Sequence, residues 1–223
     1  MHVYMLCIRQ YKPGTRGILG VPNGYSEEMT TPTTQQRREL MVAAAATLLI
    51  AEGPRAITHR RVADAAGIPA GSANYLFATR RELYAAAVTS AENVRVSAAA
   101  RVAEALPRSE RDAVETASLL LETWYAPQTD PNLVRVRLEP MLEAGADPEL
   151  REIMAVSRPL LLGALETVLD RCGFGGVGET EMIAQMLDAS LLYAVGAGES
   201  DPRLAAARQV ARLLDLLKRV PRG

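Results

Sequence analysis

Apolar residues in this chain recur at three- and four-residue intervals, and no stretch alternates apolar and polar for long, which predicts an all-α protein. Thr33-x-x-Gln36 has the form of a capping box. It opens a helix over 34–52, with Met41, Ala44 and Leu48 on one face and Gly53-Pro54 as its stop. Thr58 is a good N-cap for a short helix in which Val62, Ala63 and Ala66 fall at helical spacing, and Gly67 ends it where a positive φ costs least. Ile68 and Pro69 lead into a second short helix, 70–77. Its Ala73, Leu76 and Phe77 face inward, and Gly71, Ser72, Asn74 and Tyr75 face outward. Two helices joined by so few residues cross at a steep angle. Thr79-x-x-Glu82 then opens a long helix running to Leu106, before Pro107.

Further helix starts fall at Ser109, Asp130-Pro131, Asp147-Pro148 and Asp201-Pro202, the last three with proline at the first helical position. They divide the body into helices near 110–126, 131–145, 148–172, 179–197 and 202–219. The helix over 179–197 is apolar almost all round, through Met182, Ile183, Met186, Leu187, Leu191, Leu192, Tyr193 and Val195, so it must be covered on two sides. Leu204, Val210, Leu213, Leu214 and Leu217 lie beside an arginine-bearing face on the last helix. The expected arrangement pairs these two helices with their copies in a four-helix dimer interface.

Composition narrows the class. An apolar content of 48% excludes a disordered chain, while aromatics reach only 4%. Net charge is −1 overall, yet residues 35–83 carry seven arginines against four carboxylates, and that basic stretch coincides with the two-helix motif. Cys7 and Cys172 are too few and too far apart for a disulfide framework, which fits a reduced, cytoplasmic protein, and no apolar run suffices to cross a membrane. Residues 1–30, with Pro13, Gly14, Gly17, Gly20, Pro22 and Gly24 scattered among them, read as a flexible extension, and Met29 is an alternative natural start. The helix-turn-helix motif then sits in a domain over 31–80, followed by a second helical domain over 81–223.

Chemistry that would make an enzyme is missing. His2 and His59 are remote from both cysteines, so no metal-ligand spacing assembles, no Ser/His/Asp or Cys/His set suggests itself, and nothing calls for a cofactor. Residues 173–178 spell G-x-G-x-x-G but follow a helix and lack a βαβ unit, so a loop between helices is the better reading.

The segment THRRVADAAGI, then Gly71 to Phe77, then Thr79-Arg80-Arg81-Glu82-Leu83, resembles the TetR family of transcriptional regulators. The resemblance implies a homodimer whose two second helices enter successive major grooves of double-stranded DNA at a palindromic site. It makes Arg60 the direct base reader, with Ser72 and Asn74 next. Gly71 would allow close backbone approach, and Thr58, Tyr75 and Arg80 would contact phosphates. His59 is either a further DNA contact or a solvated side chain. The family also implies a small-molecule effector in the helical body, with Trp124, Tyr125, Arg135, Arg137, Glu139 and Met141 as candidate lining around Pro140, and an apolar ligand with at most a charged handle. Three positions depart from the family pattern: Pro69 where Ser is common, Ala70 where Lys is common, and Asn74 where Tyr is commonest. The first two remove phosphate contacts. They motivate an alternative reading, a helical small-molecule-binding or interaction protein with a weakened DNA-binding head.

Overall fold

The computed structural model describes residues 32–128, 130 and 134–219; the expected N-terminal extension, 1–30, and the alternative start at Met29 lie outside them. Nine α-helices make up the described residues: α1 (Thr34–Glu52), α2 (His59–Ala66), α3 (Ala70–Leu76), α4 (Arg80–Ala105), α5 (Ala113–Tyr125), α6 (Val134–Ala144), α7 (Pro148–Arg171), α8 (Thr180–Gly196) and α9 (Pro202–Arg219). A single 3-10 turn, Pro54–Ala56, joins α1 to α2.

The capping chemistry sets most of these boundaries. Thr33 Oγ1 accepts from Gln36 N at 3.2 Å and Gln36 Oε1 accepts from Thr33 N at 2.8 Å, so both halves of the first capping box are present. Thr58 accepts from Arg61 N and Thr79 from Glu82 N. Gly67 takes the left-handed conformation at φ 66°, and its N–H closes the end of α2 on Ala63 and Asp64. Residues 173–178 form the expected loop between α7 and α8.

One start differs from expectation. Ser109 does not cap α5; Asp112 does, its Oδ1 accepting from Glu115 N at 2.8 Å. Residues 109–111 instead run along the end of α7, where Ser109 N donates to Arg171 O and Arg111 N to Cys172 O. The expected start at Asp130-Pro131 falls partly outside the described residues, and α6 is described from Val134.

Two apolar cores result. The first packs α1, α2, α3 and the front of α4 around Met41, Leu49, Ile57, Val62, Phe77 and Leu83, and runs along α4 as far as Ala91, taking in Ala144 and Leu150. A division at residue 80/81 therefore falls at the first turn of a helix that both halves share. The second core joins the back of α4 to α5, α7, α8 and α9 around Leu120, Trp124, Leu165, Ile183, Leu187 and Val210.

Gln128, buried after α5, links the two. Its Nε2 donates to Ile50 O in the last turn of α1 at 2.7 Å, and its own carbonyl accepts from Arg203 Nη2 near the start of α9 at 3.1 Å. Helix ends leave carbonyls unpaired, and here a remote side chain satisfies one of them.

Candidate nucleic-acid interface and effector cavity

Phe77, Ile57 and Val62 are wholly buried, so the inner sides of α2 and α3 are fixed against α1 and the opposite sides must face out. On that outer face Arg60, Gly71, Asn74 and Tyr75 are exposed, Tyr75 to 83%. Among the described residues, the side chains of Arg60, Asn74 and Tyr75 have no hydrogen-bond or ion-pair partner. A Cβ built on Gly71 would meet nothing within 4 Å, so the protein's own packing does not require glycine there. Ser72, expected outward, is half-buried, and its N–H bonds to Pro69 O at 2.8 Å.

The arginines of this head divide sharply. Arg61 pairs with Glu52, and Arg81 with Asp147 and Glu149. Arg38 bonds Glu82 at 2.9 Å and the Leu76 carbonyl, and its guanidinium lies 4.0 Å from the centre of the Phe77 ring. That hydrogen bond, aided by one from Ala78 N, holds the Glu82 carboxyl below its usual range. Arg80, expected to meet a phosphate, donates Nε to Ile57 O at 2.8 Å and Nη2 to Pro54 O at 2.9 Å. His59 is partly exposed, and its Nε2 lies 2.9 Å from Phe77 O, so that nitrogen carries the proton and ties the start of α2 to the end of α3. Arg60 and Arg55 are the exposed guanidinium groups of α1–α3 left without a partner among the described residues. Sequence reasoning passed over Arg55; its position in the turn directly before α2 was the available signal.

The candidate effector residues scatter. Trp124 and Tyr125 are buried core; Trp124 Nε1 and the Tyr125 hydroxyl both donate to Asp188 Oδ1 on α8, at 2.8 and 2.9 Å. Burial and the Asp188 carboxylate push the Tyr125 phenol well up. Arg137 and Met141 line a cavity of about 270 Å³ between α4, α6 and α7. Glu139 lies on another side of α6, where its Oε2 would be 3.2 Å from a Cβ on Gly53. The side chain of Arg135 is outside the described residues. Sequence reasoning missed Glu92, Arg95 and Ser157, which are buried beside this cavity. The only signal was the i,i+3 charge pair Glu92 and Arg95 within an alanine-rich part of α4.

On α8, Met182, Met186 and Tyr193 stay exposed at 37%, 36% and 78%, on the side turned away from Ile183 and Leu187. Met186, Ala189 and Tyr193 line a groove of about 440 Å³ together with Ala205 and Gln209 of α9. Among the described residues, no three or more His, Cys, Asp or Glu side chains come together so as to hold a metal ion, and no helix is long and apolar enough to cross a membrane.

The chain matches two family models, one described as the tetR family of bacterial regulatory proteins over residues 41–87 and one as the tetracyclin repressor-like C-terminal domain over 108–216. Among solved structures it is similar to the multidrug binding protein EbrR complexed with proflavin, at 26% identity and a TM-score of 0.58, over 81% of this chain and 99% of that one. A TetR transcription regulator from Haloarcula marismortui matches at 19% identity and a TM-score of 0.57, over 82% and 98% of the two chains. A TetR-family member from Streptomyces coelicolor, SCO1917, matches at 23% and 0.54, over 84% and 99%. A comparison with curated protein sequences gives no match.

Proposed function

The chain belongs to the TetR family of transcriptional regulators, a fold that serves DNA-binding control of transcription, and we propose that it is a ligand-responsive repressor acting as a homodimer on a palindromic operator. The observation that carries this reading is the outward face of α2 and α3. Arg60, Asn74 and Tyr75 stand there exposed and without internal partners, around a Gly71 that no intramolecular contact demands. A guanidinium on such a face suits guanine O6 and N7, an Asn amide suits adenine, and a glycine lets the helix backbone approach the duplex closely. In this reading Arg55 and the Thr58 hydroxyl would meet phosphates, while Arg80, bonded to Ile57 O and Pro54 O, would act as a positioning residue that holds the turn before α2. Ser72 contributes at the edge of the face.

Support for the dimer comes from α8, whose apolar side through Met182, Met186 and Tyr193 is left uncovered in one chain. Seating a second copy on it supplies the missing cover, and the two heads would then have to face successive major grooves about 34–36 Å apart. Ligand response is supported by the cavity beneath α6 and by the likeness to a multidrug binding protein held with proflavin. The proposed role, like that of transcriptional regulators of this family generally, is non-enzymatic.

Selection of random duplex DNA by the purified chain, followed by titration of the winner at two salt concentrations, tests the reading. A palindromic winner whose affinity falls steeply with salt supports it. Absence of enrichment while the chain still dimerises favours the alternative, a small-molecule-binding protein with a weakened head.

A further inference from the structure

The cavity beneath α6 carries a charge imbalance that DNA reading does not use. Glu92, Arg95 and Arg137 are 3%, 2% and 3% exposed. Arg95 Nη1 donates to Glu92 Oε1 at 2.6 Å, and the Ser157 hydroxyl donates to Glu92 Oε2 at 2.7 Å. One buried carboxylate thus stands against two buried guanidinium groups. Among the described residues, Arg95 Nε and Nη2 and Arg137 Nε have no acceptor. A buried cation lacking a counter-charge is among the costliest arrangements in a protein interior, and the chemistry that would repair it is an anion.

The other cations at the cavity are committed elsewhere. Arg151 donates to Ala144 O and Gly145 O, and Arg158 pairs with Glu181 of α8 at 2.5 Å. Arg137 remains the charged group of the lining with an unmet donor. The same wall is apolar through Met141, Met154 and Leu161, and the volume of about 270 Å³ falls just under the ≈ 300–1,000 Å³ usual for small-molecule pockets.

We propose that this cavity binds a small amphiphilic carboxylic acid, its carboxylate received by Arg137 and its apolar body lying against Met141, Met154 and Leu161. The inference rests on the reading of the chain as a ligand-responsive regulator and names the class of its effector. Guanidinium and carboxylate match in charge and in planar geometry, so the acid is favoured over its amide by far more than size alone would give. A route to the head is present as well. Arg137 lies on α6, whose Val136 and Glu139 abut Gly53 at the end of α1: a Cβ on Gly53 would lie 3.2 Å from Glu139 Oε2 and 3.5 Å from Val136 Cγ2. Drawing Arg137 toward a ligand moves the helix on which the end of α1 rests.

The test uses the full chain, with octanoate and 3-phenylpropanoate as probes, their amides as neutral matches, octylamine as the cation, and inorganic phosphate as the bare anion. Thermal unfolding and binding to the selected duplex are both followed. At least one of the two acids is expected to raise the unfolding midpoint and weaken duplex binding at a concentration at least tenfold below that needed by its amide or by octylamine. Arg137→Met is expected to abolish the preference for acid over amide, and Arg137→Lys to retain part of it. Amides equal to acids, no response to either acid, or a preference that survives Arg137→Met would overturn the proposal. The wild-type acid-to-amide comparison decides it even if Arg137→Met does not fold. Phosphate acting as strongly as the acids would overturn the amphiphile, leaving a bare-anion site. A chain that selects a duplex and ignores both acids sinks this inference alone; one that binds the acids yet selects no duplex sinks the repressor reading and keeps this one.

Discussion

Arg80 Nε donates to the carbonyl of Ile57 across 23 positions of sequence, so the first turn of α4 fastens the segment that launches α2. Nη2 also donates to Pro54 O, an acceptor it shares with the Ile57 N–H, so this side chain holds two backbone carbonyls. Arg80→Ala is expected to lower unfolding free energy by about 1–2 kcal/mol without DNA present, read from urea denaturation, because those acceptors lose a charged donor. An unchanged midpoint together with weaker binding to every duplex would return Arg80 to a direct phosphate role.

Gly71 offers a test with two opposite signs. It lies within α3 with open space where a Cβ would sit, so Gly71→Ala is expected to stabilise the protein by about 0.5–1 kcal/mol through the entropy of the unfolded chain. The same methyl group stands off the duplex, and affinity for the selected operator falls. A melting temperature that rises while affinity stays unchanged would place α3 away from DNA.

Arg60 and Arg55 separate reading from holding. Arg60→Ala is expected to weaken binding to the selected duplex by about 1–3 kcal/mol and relax its sequence preference. Arg55→Ala is expected to weaken all duplexes alike and to reduce the salt slope by about one. Titrations of both variants on selected and random duplexes distinguish these outcomes; equal losses on both duplexes for both variants would contradict the division.

Glu92 makes stability depend on pH. Burial alone would raise its carboxyl, but Arg137, Arg95 and the Ser157 hydroxyl outweigh that and hold it below the usual value. A depressed folded value means that its contribution is present at pH above about 4.3 and is lost as the pH falls through the folded value. Glu92→Gln is expected to destabilise the protein at pH 7 by about 3–5 kcal/mol, since two buried guanidinium groups lose the one buried carboxylate among the described residues, and to flatten the acid limb of the profile. Urea midpoints of both proteins between pH 3 and pH 7 check the sign; identical profiles would remove Glu92 from the account.

Tyr193 is 78% exposed on α8, beside the groove shared with α9. Tyr193→Glu places a charge in the proposed interface and is expected to convert the dimer to monomer in sedimentation equilibrium at micromolar concentration while leaving helix content intact. A variant that sediments like the unmodified chain would move the interface elsewhere.

Helix boundaries were legible where a local signal decides them. Thr33 with Gln36, Thr58, Gly67 and Asp147-Pro148 each fix an end through atoms a few residues apart, and each is found as expected. Ser109 failed because the choice between it and Asp112 is made by Arg171 O and Cys172 O, more than fifty positions away. The exposed face of α2 and α3 was legible in part. Small residues and Arg60 stand out from the helical period, but whether an arginine is free depends on carbonyls and carboxylates brought in by folding, which is why the bonds of Arg80 and His59 to backbone carbonyls were unforeseen. The charge cluster at Glu92 was hidden for the same reason. Its third member, Arg137, comes from α6, and nothing local to either helix predicts that the two meet.

Gln128 has a mechanical meaning. One amide side chain grips the last turn of α1, and the backbone of the same residue is held by Arg203 of α9. Truncating that side chain would leave each half folded around its own core, yet introduce backlash between them, so that the head would lag behind any turn of the body. If the chain is the ligand-responsive regulator proposed above, the sharpness with which a displacement in the body reaches the duplex would then be set by the grip of Gln128.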